Sequence, residues 1–328
     1  MKPTALITRR NMLTGGATLA ASSLLLPGLG RNAFAAAPMQ GMDRPAVYRV
    51  KLGQFEVTTI LDGAVQLDGP HPIFGANQPA EAVQKFAQEH FLPTTKMEIS
   101  FAPVIVNTGS ELILFDTGNG PDGGFAQGKL TASVLAQAGL TRDQIDVVVI
   151  THCHPDHIGG LMENGAPAFP NARYVIGETE YNFWSAEDRL SGPTEGAAKL
   201  VQANVVPLAE KTTFLKPEGE VVSGIRAVEA FGHTPGMLAF HVESDGQRLL
   251  IMADVANHYV VSLMKPDWHV SFDADKETAV STRKRILDML ATDRFPVTGY
   301  HMPFPAIGYV EKTSDGYRWA QASYQLHL

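Results

Sequence analysis

Residues Val149–Gly160, VITHCHPDHIGG, set an apolar run against four donor side chains, with His152, His154, Asp156 and His157 falling inside six residues. An apolar run that turns this polar at its end reads as a strand delivering side chains to a sheet edge. His and Asp are donors to divalent cations. In extended backbone His152 and His154 share one face, and Cys153 points to the other. This lone cysteine therefore reads as a small buried apolar residue, and it can form no internal disulfide. A short helix begins near Asp156, and Gly159-Gly160 lets that helix pack closely against its surroundings.

Working outward, three further donors each follow an apolar, strand-like run. They are His233 in Gly232–Gly236 (GHTPG), Asp254 in Met252-Ala253-Asp254, and His301 after Val297–Tyr300. Seven donors exceed the needs of one zinc, which at a catalytic site takes about three protein ligands and a water. Two adjacent ions are the economical reading. Imidazole and carboxylate donors without a thiolate favour zinc, with manganese, iron or cobalt as substitutes. Asp116 ends another apolar run ahead of a Gly-rich loop, Asn119–Gly128, a usual place for site residues in α/β proteins.

The remaining chain supplies the frame. Tyr48–Leu67 alternates apolar and polar residues and reads as an antiparallel meander with turns at Gly53 and Asp62-Gly63. Asp68–Pro79 is a long loop rich in Pro and Gly, a candidate lid. A helix is predicted over Ala80–His90, strands over Ala102–Asn107 and Glu111–Phe115, and a helix near Thr131–Ala138. The strand Ile145–Ile150 delivers the His cluster. Ala172–Gly177 reads as a strand, and Glu178–Trp184 as a helix running into a loop that continues to Gly196. Residues 223–254 give three strands. Asp275–Leu290 is an amphipathic helix whose interleaved charges read as a solvated face. Strands and helices alternate in two successive halves with no linker, which predicts one α/β domain with two sheets.

The N-terminus carries Thr8–Leu13 (TRRNML), an apolar stretch through Leu29, and Ala33-Phe34-Ala35. This resembles a twin-arginine export leader over residues 1–35, which leaves 36–328 as the functional domain and implies a periplasmic or secreted address. No membrane association is expected after its removal. Loss of Lys2, Arg9, Arg10 and Arg31 takes the net charge from −8 to −12, which disfavours nucleic acid as a partner.

The HxHxDH cluster, the later lone His, the strand-end Asp and the final His together resemble the metallo-β-lactamase superfamily. The resemblance runs over essentially all of the chain beyond the leader. It implies a single-domain, four-layer αββα sandwich of the α/β (α+β) class, with metals at the edge between two sheets. Carried over, His152, His154 and His233 would hold one zinc, and Asp156, His157 and His301 the other. Asp254 would bridge them, and Asp116 would steady a ligand His. Asp254 disfavours β-lactams, because typical β-lactamases of the superfamily lack an Asp there.

ITHxHPDHxGGLM, AFPNA (168–172), Phe183-Trp184, GHTPG and HMPFPAIG (301–308) with GYRW narrow the likeness. They resemble the group containing methyl parathion hydrolases, lactonases and arylesterases. The implied reaction is attack by a metal-bridging hydroxide on lactones, aryl esters and organophosphate triesters, with Asp254 or Asp156 moving a proton. The implied partners are a small-molecule substrate and a second copy of the chain. Trp184, Phe183, Phe125, Phe74 and His258 are the candidate pocket residues. In that group aromatic residues are expected where this chain has Gly123-Gly124 and Val201, so phosphotriesters are the less favoured substrates. The alternatives are a thiol-ester hydrolase of the glyoxalase II type and a nuclease of the same fold.

Overall fold

The computed structural model describes residues 39, 41, 43–121, 123 and 126–323. The leader expected over 1–35, and Phe125, lie outside the described residues. The body described below begins at Arg44.

A hairpin opens it, β1 (Val47–Leu52) with β2 (Phe55–Ile60), and the chain then leaves that sheet. β3 (Gly63–Asp68) pairs instead with β4 (Lys96–Phe101), so Tyr48–Leu67 is not one meander. The reason lies at Asp62. Its carboxylate is fully buried and accepts the backbone N–H groups of Asn119, Lys129 and Leu130 at 2.9, 2.8 and 2.7 Å, which bends the chain away and anchors the Gly-rich loop. Between β3 and β4 lies α1 (Ala80–Glu89), with Val83, Phe86 and Ala87 turned inward.

The first sheet continues through β5 (Val104–Asn107), β6 (Leu112–Phe115) and β7 (Val147–Ile150), with a π-helical turn (Leu130–Val134) and α2 (Leu135–Gln137) between the last two. After β7 come α3 (Pro155–Ile158), the small hairpin β8 (Met162–Glu163) and β9 (Ala166–Pro167), and then β10 (Arg173–Gly177). α4 (Glu178–Ser185), α5 (Glu195–Asn204) and β11 (Thr212–Leu215) complete this half. The strand order is β1-β2-β5-β6-β7-β10-β11, parallel from β6 onward. The stretch expected as a loop to Gly196 contains 3-10 turns and runs into α5, which buries Ala198 and Val201.

The second half is β12 (Glu220–Val222), β13 (Ile225–Glu229), β14 (Leu238–Ser244), β15 (Gln247–Ile251), α6 (Val261–Met264), α7 (Lys276–Asp293), β16 (Val297–Thr298), β17 (Ile307–Lys312) and β18 (Tyr317–Gln321). These strands are neighbours in sequence order. Asp275 caps α7, its side chain accepting the Thr278 N–H at 3.1 Å.

Three apolar clusters make the layers. Alternate residues of β7 serve two of them: Val147 and Val149 face the second sheet, while Val148 and Ile150 face the helices outside. That is why β7 reads as an unbroken apolar run and not as an alternating one. Outside the second sheet, Ile286, Leu287 and Leu290 of α7 pack on Ala239, Leu250 and Val297. The result is a helix–sheet–sheet–helix stack, as the family resemblance implied. No helix among the described residues is long and apolar enough to cross a membrane.

Candidate metal centre

The seven donors meet at one edge of the sandwich, each leaving the end of a strand. β7 ends at Thr151 and the chain turns through His152–His157, with Pro155 starting α3. The two glycines after α3 are obligatory by contact: a Cβ on Gly159 would lie 2.3 Å from the Asn119 carbonyl oxygen, and one on Gly160 2.2 Å from that of Thr117. β13 leads to His233, β15 to Asp254 and β16 to His301. Two groups of donor atoms result. His152, His154, His233 and Asp254 form one, and Asp156, His157 and His301 the other.

In the first group the ring nitrogens point at one another. His154 Nδ1 is 3.2 Å from His152 Nε2 and 2.9 Å from His233 Nε2, and His233 Nε2 is 3.2 Å from Asp254 Oδ2. Nitrogens about 2.0–2.1 Å from a tetrahedral zinc stand roughly 3.3 Å apart, so this spacing is that of a coordination shell. In the second group His157 Nε2 is 3.4 Å from Asp156 Oδ2, and His301 Nε2 is 3.5 Å from the same oxygen. Asp254 joins the two groups: Oδ2 is 3.0 Å from His301 Nε2, and Oδ1 is 3.4 Å from His157 Nε2.

His157 Nε2 and Asp254 Oδ1 are both fully buried and make no hydrogen bond. Buried polar atoms ordinarily have partners, and here two orphans face each other. A divalent cation between them satisfies both, so the donor set fits a metal.

Three of the five ligand imidazoles, His157, His301 and His233, are held by the other nitrogen on a carboxylate or carbonyl. His157 donates from Nδ1 to Asp116 Oδ2 at 2.8 Å, and Asp116 also accepts the Thr151 N–H and hydroxyl, both at 2.8 Å. His301 Nδ1 donates to the Ser100 carbonyl at 2.8 Å. His233 Nδ1 donates to Asp273 Oδ1 at 2.8 Å, and Asp273 is in turn paired with the buried guanidinium of Arg283 at 2.8 Å. Such partners fix the tautomer and the ring orientation of a ligand. The Tyr300 ring stacks on His157 at 3.9 Å, and its hydroxyl donates to the Asp156 carbonyl at 2.5 Å.

Charge in the cluster is strongly polarised. Burial drives His152 well below its ordinary range and His154 to about 3, which leaves both neutral, the form that binds a cation. Burial also opposes the charge on His233, but Asp254 and Asp273 outweigh it and raise the group to about 9. For Asp254 the facing His301 and His157 outweigh burial and hold the carboxylate well below its usual range.

Three of the candidate pocket residues, Trp184, Phe183 and Phe74, pack into apolar cores. Trp184 is built into the core outside the first sheet, its indole N–H on Glu180 Oε1 at 2.9 Å. Phe183 packs on the same core, with the Arg189 guanidinium 4.4 Å from its ring centre. Phe74 is 1% exposed, inside a cluster with Phe101 and Val270. The loop that carries it is fastened down, Gly75 N–H to the His269 carbonyl and Ser271 N–H to the Ile73 carbonyl. Aromatic residues near a site are as often core as lining, and these three are core.

The mouth over the metal donors is a cavity of about 180 Å³ walled by Ile99, Phe101, Pro155 and Phe272, together with the ligands themselves. His258 lines a larger neighbouring cavity of about 580 Å³, which touches the site through His301. Phe272 and Asp273 lie in the loop before α7, which carries no motif, and β4 with Ile99 and Phe101 shows only the short alternation Met97-Glu98-Ile99-Ser100-Phe101. Arg283 was hidden among the charges of α7.

Among solved structures, the chain is similar to AidC, a dizinc quorum-quenching lactonase crystallised with a homoserine product. The two share 26% identity, with 85% of this chain and 98% of that one covered, at a TM-score of 0.77. It also shares its fold with the hydrolase AbOPH of the β-lactamase superfamily, at 23% identity, 86% and 99% coverage and a TM-score of 0.78. A probable metal-dependent hydrolase from Staphylococcus aureus has the same fold at 20% identity, 83% and 99% coverage and a TM-score of 0.67. No curated protein sequence matches the chain. Residues 100–297 match the family model of the metallo-beta-lactamase superfamily. With the donors on the strand ends where that fold gathers them, the chain belongs to the metallo-beta-lactamase superfamily.

Proposed function

We propose that this metal-dependent hydrolase opens lactones and cleaves aryl esters, with organophosphate triesters as a slower class, using two zinc ions held by the two donor groups. The observation that carries the reading is the Asp254 carboxylate set between both groups, with its Oδ1 and the facing His157 Nε2 buried and without a hydrogen bond. The likeness to a dizinc lactonase supports it.

Divalent cations bound there supply Lewis acidity and a water of lowered pKa. The protein does the rest. His152, His154 and His233 present ring nitrogens on one side, the first two already neutral; Asp156, His157 and His301 close the other. Asp116 and Asp273 hold His157 and His233 in place, so the donors need no rearrangement when substrate arrives. Asp156 and Asp254 would be the carboxylates beside the bound ions, and either could take a proton from the water they activate and pass it to the leaving alkoxide or phenoxide. Ile99, Phe101 and Phe272 form an apolar wall for the acyl or aryl part of the substrate.

Manganese, iron or cobalt in place of zinc, export by a twin-arginine leader, a periplasmic or secreted address and pairing of two copies belong to the same proposal. The test is a turnover panel on the zinc-loaded protein: N-acyl homoserine lactones, simple lactones, p-nitrophenyl esters, methyl parathion and a glutathione thiol ester. Lactone and aryl-ester turnover is expected. A panel on which only the thiol ester reacts contradicts the reading.

A further inference from the structure

The carboxylate of Glu180 takes no part in the chemistry above, yet it is fully buried and each of its oxygens accepts two hydrogen bonds. Oε1 accepts the Cys153 N–H and the Trp184 indole N–H, both at 2.9 Å. Oε2 accepts the Thr234 hydroxyl and the Gly236 N–H, both at 2.8 Å. Cys153 stands between His152 and His154, and Thr234 follows His233. A single side chain on the first turn of α4 thus binds both segments that supply the three imidazoles of the first donor group.

The fit around this junction is tight. A Cβ on Gly236 would lie 2.1 Å from the Glu180 nitrogen, so the GHTPG turn is pressed against the helix. The Leu238 N–H bonds the Thr151 carbonyl at 3.1 Å on the far side of the same junction. A buried carboxylate is a costly way to fill space, and an apolar side chain packs as well at lower cost. What the carboxylate offers is four acceptor positions in a fixed plane. An amide in its place would turn an NH₂ group toward one of the two pairs of donors.

We propose that Glu180 is a positioning residue that fixes the spacing between the His152–His154 turn and the His233 turn, and so sets the metal affinity of the three-histidine group alone. The Asp156, His157 and His301 group has its own supports in Asp116, Tyr300 and the Ser100 carbonyl. This inference rests on the reading that the two groups hold metal ions.

The test is zinc titration of the full chain, stripped of metal, in competition with a chromophoric chelator, for wild type, Glu180→Gln and Thr234→Ala. Wild type is expected to take two ions. In Glu180→Gln one of the two binds about 10–100-fold more weakly, the range typical for loss of a ligand-supporting group, and the other is unchanged. Thr234→Ala weakens the same ion by less. Tyr300→Phe, which loses the bond to the Asp156 carbonyl, identifies the other ion by weakening it instead. Equal weakening of both ions in Glu180→Gln, or no change in either beside a lowered melting temperature of the metal-free chain, overturns the proposal. If Glu180→Gln does not fold, Thr234→Ala decides by the same criteria. Wild type that takes up no zinc overturns the metal reading itself, and this proposal with it.

Discussion

At Asp254 one carboxylate meets imidazoles from three strand ends, with His301 and His233 on Oδ2 at 3.0 and 3.2 Å and His157 facing Oδ1 at 3.4 Å. No other side chain in the site touches both donor groups so evenly. Trp184 shows the opposite case, an aromatic residue that a sequence reading puts in the pocket and the fold puts in the core. Trp184→Phe removes a buried hydrogen bond to a carboxylate, so chemical denaturation is expected to show a loss of about 1–3 kcal/mol. A raised KM without any loss of stability would return Trp184 to the pocket. Phe272→Ala, by contrast, is expected to raise KM for long-chain or aryl substrates several-fold.

His258 carries a pH dependence of its own. Burial lowers its pKa from 6.5 to about 4, and its Nδ1 accepts the Val260 and Val261 N–H groups at 3.1 and 3.2 Å. Between pH 6.5 and 4 the unfolded chain therefore takes up a proton that the folded chain refuses. Its contribution is fully present above that window and is lost as pH falls through it, by about 1.4 kcal/mol per unit. Denaturation of wild type and His258→Asn at pH 7 and pH 5 should show the smaller fall in the variant. Equal falls would mean that the imidazole is protonated in the folded protein.

Among the elements, the strands that deliver ligands were the most legible, because an apolar run followed at once by His or Asp has little other reason to exist. β7 shows it best, with all four residues buried and four donors within the next seven. The supports were not legible. Asp62 sits before a glycine and looks like a turn former, and only the fold shows three backbone N–H groups converging on it. Arg283 lies among Lys, Arg and Glu on α7, whose charges read as a solvated face, yet it is 1% exposed. It bonds the carbonyls of Val255 and Pro266, both at 3.0 Å, as well as Asp273, and so ties the helix to the loop behind Asp254. Arg283→Met breaks a buried ion pair and leaves Asp273 with His233 as its remaining charged partner. A loss of about 3–5 kcal/mol is expected from denaturation, with partial recovery when Asp273→Asn is added. A loss under about 1 kcal/mol would mean that the pair is not buried in solution.

For the molecule as a whole, the four-layer stack sets three ligand-bearing turns from the first sheet and the second on one edge, within reach of a single carboxylate. Two sheets could be foreseen from the two successive halves of strands and helices, and the order of the four layers from the resemblance of the donor pattern to the metallo-β-lactamase superfamily. The pocket could not, because which aromatic residues reach the mouth depends on how the loop before α7 folds back, and nothing local encodes that. Bound ions that favour only the folded state should stabilise it by about 4 kcal/mol each at a thousandfold excess over the dissociation constant, so chelation lowers the melting temperature and zinc restores it. The most direct measurement of the central claim is zinc titration of the metal-free chain with bound metal and turnover of an N-acyl homoserine lactone read together, for wild type and Asp254→Ala. Turnover that rises to a plateau at two zinc ions per wild-type chain, and stays near background in Asp254→Ala, is the expected result. Full turnover without metal, or in Asp254→Ala, would contradict it.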